Sequence, residues 1–193
     1  MIRKHIFKAF QLLIIIAVCG FVVNIPNAYS ESGVSREYTM KAAFIYKFTK
    51  FIKWTPESFS DDRDPIILTI IGRDPFGKAI DSLHGRNVKG RKIFVKRIIR
   101  IEDIEKSHIL FISQSEKERL PALLQATKDL CVLTIGDMEG FSGYGGIINF
   151  FMVENSIRFE INVAAAQQAG LIISSNLLTL AKIAGNQSQN GKN

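Results

Sequence analysis

The stretch IILTIIG, Ile66 to Gly72, is the feature of this sequence that most constrains its fold. It is continuously apolar and rich in β-branched residues, and it ends at a glycine. Such a run is typical of a strand that is buried on both faces, because a half-exposed strand would alternate with polar residues. A strand of this kind needs helices on both sides of its sheet, so the sequence predicts an α/β domain.

Further strand-like runs follow this one, and helical segments separate them. We predict strands over Lys92–Ile98, His108–Ser113 and Val132–Asp137, and a helix over residues 114–127, QSEKERLPALLQAT. Strands that alternate with helices form parallel sheets through right-handed crossovers. The predicted fold is therefore a mostly parallel sheet flanked by helices.

The pattern changes after Asp137. GGIINFFMV and SIRFEIN are two strand-like runs separated only by Glu154 and Asn155, which predicts a C-terminal antiparallel β-hairpin. Asn162 is placed as the cap of a short helix that Gly170 ends.

Three more helices are predicted from apolar periodicity and capping residues. The first covers Ser35–Trp54, with an apolar side that we expect to pack on the sheet and a lysine side that could alternatively lie on an anionic membrane. The second begins with Asp74 as N-cap and Pro75 at its first position, and it ends at Gly85. The last is SNLLTLAKIA, capped by Ser175 or Asn176.

Residues 1–30 have the pattern of a cleaved secretory signal. A basic start is followed by an apolar run, Phe10–Val23, and then by small residues at Ala28 and Ser30. The alternative is a retained membrane anchor, but the run is shorter than the roughly 20 residues that a spanning helix needs. We therefore predict export to the periplasm, a single domain over residues 31–184, and a disordered polar tail over residues 185–193.

Charge and cysteine content exclude several classes of function. Residues 1–30 carry three of the 25 basic residues and none of the 18 acidic ones, so their removal lowers the net charge from +7 to +4. A net charge of +4 does not indicate a nucleic-acid-binding protein. Cys131 is then the remaining cysteine, so no internal disulfide is expected and a buried, inert thiol is the simplest interpretation.

The glycine-rich segment Gly140–Phe150, GFSGYGGIINF, leads into a strand. A phosphate-binding loop would lead into the N-terminus of a helix, so we expect these glycines to turn the chain with unusual backbone angles. The histidines lack metal-ligand spacing, and no catalytic motif is present. A basic stretch could meet an acidic partner or a nucleotide, or could be a solvated loop: Arg86, Lys89, Arg91, Lys96, Arg97 and Arg100.

The segments EYTMKAAFIYKFTKFIKW, IIGRDPFG, KGRKIFVKRI, HILFIS, VLTIGDMEGF and GGIINFFMVENSIRFEINVAAAQQAGLIISSNLLTLAKI, in this order and spacing, resemble the YfiR family. The resemblance runs from Glu37 to Ala184. It implies a periplasmic, non-enzymatic protein without cofactors or metals that represses a membrane-bound diguanylate cyclase through its periplasmic sensor region. Cyclic di-GMP and biofilm formation would fall. It also implies a homodimer and release by an outer-membrane lipoprotein. Ser107 stands where a cysteine is common in the family, which puts redox control in doubt.

Two hypotheses of function follow. In the first, the protein binds its partner through an exposed apolar surface in the C-terminal segment, for which the alternative role is core packing: Leu171, Ile172, Leu177, Leu178, Leu180 and Ile183. In the second, it is a periplasmic receptor for a nucleotide or an amino acid, with Asp137, Gly145 and Gly146 bordering the crevice.

Overall fold

The computed structural model describes residues 28–104 and 106–185, with side chains from Gly33 onward. The predicted signal peptide lies outside these residues up to position 27, and the predicted tail lies outside them after Gly185. The contacts divide the chain into two units, residues 1–34 and residues 35–193. Apart from the bounds of the first helix, the description below concerns the second unit.

The strands and helices are numbered in chain order. The strands are β1 Ile52–Lys53, β2 Ile66–Ile71, β3 Asn87–Val88, β4 Arg91–Ile98, β5 Ile109–Ile112, β6 Leu133–Gly136, β7 Ile148–Val153, β8 Ser156–Ile161, β9 Ile172–Ile173 and β10 Lys182–Ile183. The α-helices are α1 Ala28–Phe51, α2 Lys78–Asp81, α3 Leu120–Thr127, α4 Val163–Gln168 and α5 Ser175–Leu178.

The main sheet has the strand order β10-β8-β7-β6-β5-β2-β4-β3. Strands β4, β2, β5, β6 and β7 run parallel, and β7 pairs antiparallel with β8. Glu154 and Asn155 both have positive φ, 46° and 61°, as a two-residue hairpin turn of the favoured twist requires. The predicted parallel sheet and its C-terminal hairpin are confirmed.

Apolar side chains cover both faces of this sheet. On one face, Ile45 and Phe48 of α1 are buried, and the Phe48 ring lies 5.7 Å from that of Phe150 and 4.9 Å from that of Phe159. On the other face, Leu120 of α3 belongs to a second buried cluster, which also includes Phe141. The predicted packing of α1 on the sheet is therefore confirmed. No helix among the described residues combines the length and the apolar character needed to cross a membrane.

The first helix begins at Ala28 and ends at Phe51, so the predicted range Ser35–Trp54 was wrong at both ends. Ile52 and Lys53 instead form β1, which pairs antiparallel with Ile173 and Ile172. The apolar periodicity of a helix continues through Ile52, so the sequence pattern alone did not reveal the strand. Its partner lies far along the chain.

The second predicted helix is much shorter than expected. Asp74 is not its N-cap, because the carboxylate accepts a hydrogen bond from Phe76 N–H in a turn before the helix. Pro75 lies in the same turn, and Gly77 directly precedes α2. Gly85 has φ of 78° and turns the chain toward β3, as a stop residue should.

The later helices also differ in part from prediction. Residues Gln114–Arg119 form a 3-10 helix before α3. Asn162 caps α4 as predicted, since its side chain accepts from Ala165 N–H. The cap of α5 is Ser174, rather than Ser175 or Asn176, and the helix ends at Leu178. Of the residues expected to continue it, Lys182 and Ile183 instead form β10, whose backbone pairs with β8.

Candidate functional site

Asp137 directly follows β6, at the carboxyl edge of the parallel sheet, and meets two side chains from α1. Its Oδ2 accepts hydrogen bonds from Lys41 Nζ and from Tyr38 Oη, each at 2.7 Å. Lys41 Nζ also lies 2.5 Å from Glu37 Oε1. Because Tyr38 and Lys41 are almost one turn apart, the helix presents both to one carboxylate.

The side chains of this cluster are buried and joined by short ionic and hydrogen-bond contacts. The Lys41 and Asp137 side chains are only 5% and 4% exposed, and burial raises the pKa of Tyr38, as does its hydrogen bond to Asp137. The second oxygen of Asp137, Oδ1, is buried and has no hydrogen-bond partner among the described residues. The ion pair joins α1 to the end of β6, and Tyr38 remains a neutral donor at ordinary pH.

A cavity of about 360 Å³ adjoins this cluster, lined by Glu37, Lys41, Asp137, Asn149, Glu160 and Lys182 among others. Gly145 lines a different cavity, with Tyr144 and Lys128. The space above Gly146 is filled by the Phe141 ring. The structure therefore does not bring Asp137, Gly145 and Gly146 together around one crevice.

The glycine-rich segment is built around Phe141. A Cβ atom at Gly136 would lie 2.5 Å from the Phe141 ring, and one at Gly146 would lie 2.1 Å from it. Gly140 and Gly145 have φ of 77° and 99°, which confirms the predicted unusual backbone angles. Two glycines thus turn the chain, and two others leave room for a buried aromatic ring.

The structure separates the six residues predicted to bind a partner. Leu171 and Leu177 are only 3% and 2% exposed and belong to the core, so they are not available to a partner. Ile172 is 66% exposed, on β9. Leu180 is 71% exposed; it lies with half-buried Leu178 and Ile183 in the segment around β10.

The end of the β7–β8 hairpin is also apolar and exposed. Met152 and Val153 are 46% and 45% exposed, and they pair with Ile157 and Ser156 at the turn end of the hairpin. Strand β10 pairs only with Glu160 and Ile161, so Ser156–Arg158 of β8 have no strand partner on that side among the described residues. We call these features, namely Met152, Val153, Leu178, Leu180, Ile183 and the open part of β8, the edge surface.

His108 lies at the opposite, amino edge of the sheet, beside a cavity of about 570 Å³. Its Nδ1 accepts from Ile67 N–H at 3.1 Å, so Nε2 carries the proton and donates to the Ser58 carbonyl at 2.9 Å. The Phe59 ring stacks on the imidazole at 4.5 Å. Burial lowers the pKa of His108, which keeps it neutral in this arrangement.

Other candidate chemistry is sparse in the part of the chain that the structure describes. No group of three or more His, Cys, Asp or Glu side chains there is placed to hold a metal ion. Cys131 is free and half-buried, rather than fully buried as the sequence suggested. Ser107 is buried, and its hydroxyl lies 2.6 Å from that of Thr69.

The mostly parallel sheet, covered by apolar side chains on both faces, and its C-terminal antiparallel hairpin define an α/β domain. The family model described as YfiR/HmsC-like matches residues 38–182, and the chain belongs to this family. At the level of the family, membership supports a periplasmic regulatory protein. No protein of curated function matches the chain.

Two solved structures are similar to this chain at low sequence identity. A conserved domain protein from Vibrio cholerae O1 biovar eltor is 12% identical, with a TM-score of 0.50 over 76% of this chain and 59% of its own. The ABC domain from Streptococcus pneumonia in complex with L-Trp is 10% identical, with a TM-score of 0.49 and the same coverage. The chain thus spans 59% of the length of either protein.

Proposed function

We propose that this protein is exported by a cleaved signal peptide and represses a membrane-bound diguanylate cyclase by binding its periplasmic sensor region. Repression lowers cyclic di-GMP and biofilm formation. Membership of the YfiR/HmsC-like family supports the regulatory class. Homodimer formation and release by an outer-membrane lipoprotein belong to the same proposal.

The observation that carries the mode of binding is the edge surface. Leu180 is 71% exposed two residues before β10, and β10 leaves the outer side of β8 open over Ser156–Arg158. An open strand edge can accept a further strand from another protein, and apolar neighbours supply contact area. We therefore propose that the sensor region contacts β8 and β10, and not the core residues Leu171 and Leu177.

Binding of the purified periplasmic sensor region tests this proposal directly. Leu180→Glu places a charge in the contact and should weaken binding, measured by titration calorimetry, at least tenfold. Ile99→Glu is the matched control, since Ile99 is 78% exposed at the end of β4, away from β10 in the strand order. Equal affinity of both variants and the unmodified protein would exclude the edge surface as the contact.

A further inference from the structure

Basic side chains from two distant segments meet beside the exposed side of α1. Lys50 Nζ and Arg86 Cζ each lie 4.6 Å from the centre of the Tyr46 ring, so one ring contacts cations from α1 and from the segment before β3. Lys89 Nζ donates to the Ile52 carbonyl at 3.0 Å, which brings it next to Lys53 of β1. We call Lys50, Lys53, Arg86 and Lys89 the basic cluster.

The positive charge of this cluster is not compensated. Within the described residues, no carboxylate lies within 4.0 Å of any of its four cations. By contrast, Arg91, Arg97 and Arg100 of the same basic stretch all have carboxylate partners. Burial lowers the pKa of Lys89, and the charge of Lys53 lowers it further. An anion brought to this surface would relieve that repulsion.

An exposed aliphatic side chain lies in the same surface. Ile172 is in register with Lys53 in the antiparallel β1–β9 pair. Side chains that are directly opposite in such a pair share one face and lie next to each other. Ile172 is 66% exposed, so the surface combines an apolar side chain with lysines, which is the pattern of proteins that lie on membranes.

We propose that the basic cluster and Ile172 dock the protein on a bilayer surface that carries anionic phospholipid headgroups. Three of the four cations are lysines on long flexible stems, which suits headgroup phosphates that move laterally. The centre of a protein–protein contact is instead depleted in lysine. The docking residues are distinct from those of the edge surface.

Co-sedimentation with vesicles tests the proposal. The exported protein, recovered from the periplasm, should bind vesicles that are composed of equal amounts of phosphatidylglycerol and phosphatidylcholine. It should not bind vesicles of phosphatidylcholine alone. Each lysine near an anionic surface contributes about a fivefold increase in partitioning. The triple variant Lys50→Gln, Lys53→Gln, Lys89→Gln should therefore bind about 100-fold more weakly.

The matched control changes three exposed lysines elsewhere, Lys106, Lys117 and Lys128, to glutamine. This variant has the same net charge as the first triple variant but should retain most of the vesicle binding. The folding of both variants is verified by circular dichroism. Equal loss in the two variants would show that net charge alone is responsible and would overturn the proposal.

Two further outcomes would also overturn it. One is release of the vesicle-bound protein by inorganic phosphate more effectively than by chloride at the same ionic strength, which would indicate a site for free phosphate. The other is that the unmodified protein does not bind the vesicles, while the triple lysine variant loses binding to the cyclase. This result would indicate an acidic protein partner. The vesicles contain no cyclase, so their result is independent of the proposed cyclase repression.

Discussion

The ammonium group of Lys41 lies 2.7 Å from a carboxylate oxygen of Asp137, and both side chains are almost completely buried. Removing one partner of such a pair leaves a charge without compensation in a low-dielectric site. We expect Lys41→Met to lower the free energy of unfolding by about 3–5 kcal/mol, measured by urea denaturation. The double variant Lys41→Met, Asp137→Leu should recover most of this loss, and a single variant as stable as the unmodified protein would contradict the pairing.

The packing of Phe141 between two glycines gives a second prediction. Gly146→Ala places a methyl group where the ring lies, and overpacking of this kind costs about 1–3 kcal/mol. In the background of Phe141→Ala the same substitution should cost little, because the ring that it meets is gone. The double-mutant cycle measures this coupling by urea denaturation, and additive effects would contradict the contact.

His108 predicts a pH dependence of stability. Burial lowers its pKa below the ordinary 6.5 in the folded state, so the unfolded chain takes up the proton first as the pH falls. The contribution of His108 to stability is therefore fully present above about pH 6.5. It is lost progressively as the pH falls from there through the folded pKa.

The variant His108→Asn isolates this contribution. Asparagine can accept from Ile67 N–H in place of Nδ1 but does not titrate, so urea unfolding on either side of about pH 6.5 should show a smaller change with pH. A pH dependence that His108→Asn does not alter would contradict the assignment.

The sheet could be predicted from the sequence because its signals are local. The apolar run of β2 marks a buried strand, and the turn at Glu154 and Asn155 marks a hairpin. The strand Ile52–Lys53 could not be predicted, because it continues a helical periodicity and its partner Ile172–Ile173 lies more than 100 residues later. Pairing between distant segments leaves no trace in local periodicity.

The polar contacts around Asp137 could likewise be predicted only in part. Asp137 was singled out by its place at the end of a strand, but Tyr38 and Lys41 lie 99 and 96 residues earlier. The predicted partner-binding set was apolar for two different reasons, core packing at Leu171 and Leu177 and surface exposure at Ile172 and Leu180. Hydrophobicity alone does not distinguish these, since both give the same residue types.

The cellular level of cyclic di-GMP tests the proposed regulation most directly. Deletion of the gene should raise the level, and the unmodified protein and Ile99→Glu should each restore it. Leu180→Glu, present in equal amount in the periplasm, should not restore it, because its edge surface no longer accepts the sensor region. An unchanged level of cyclic di-GMP in the deletion strain would contradict the account.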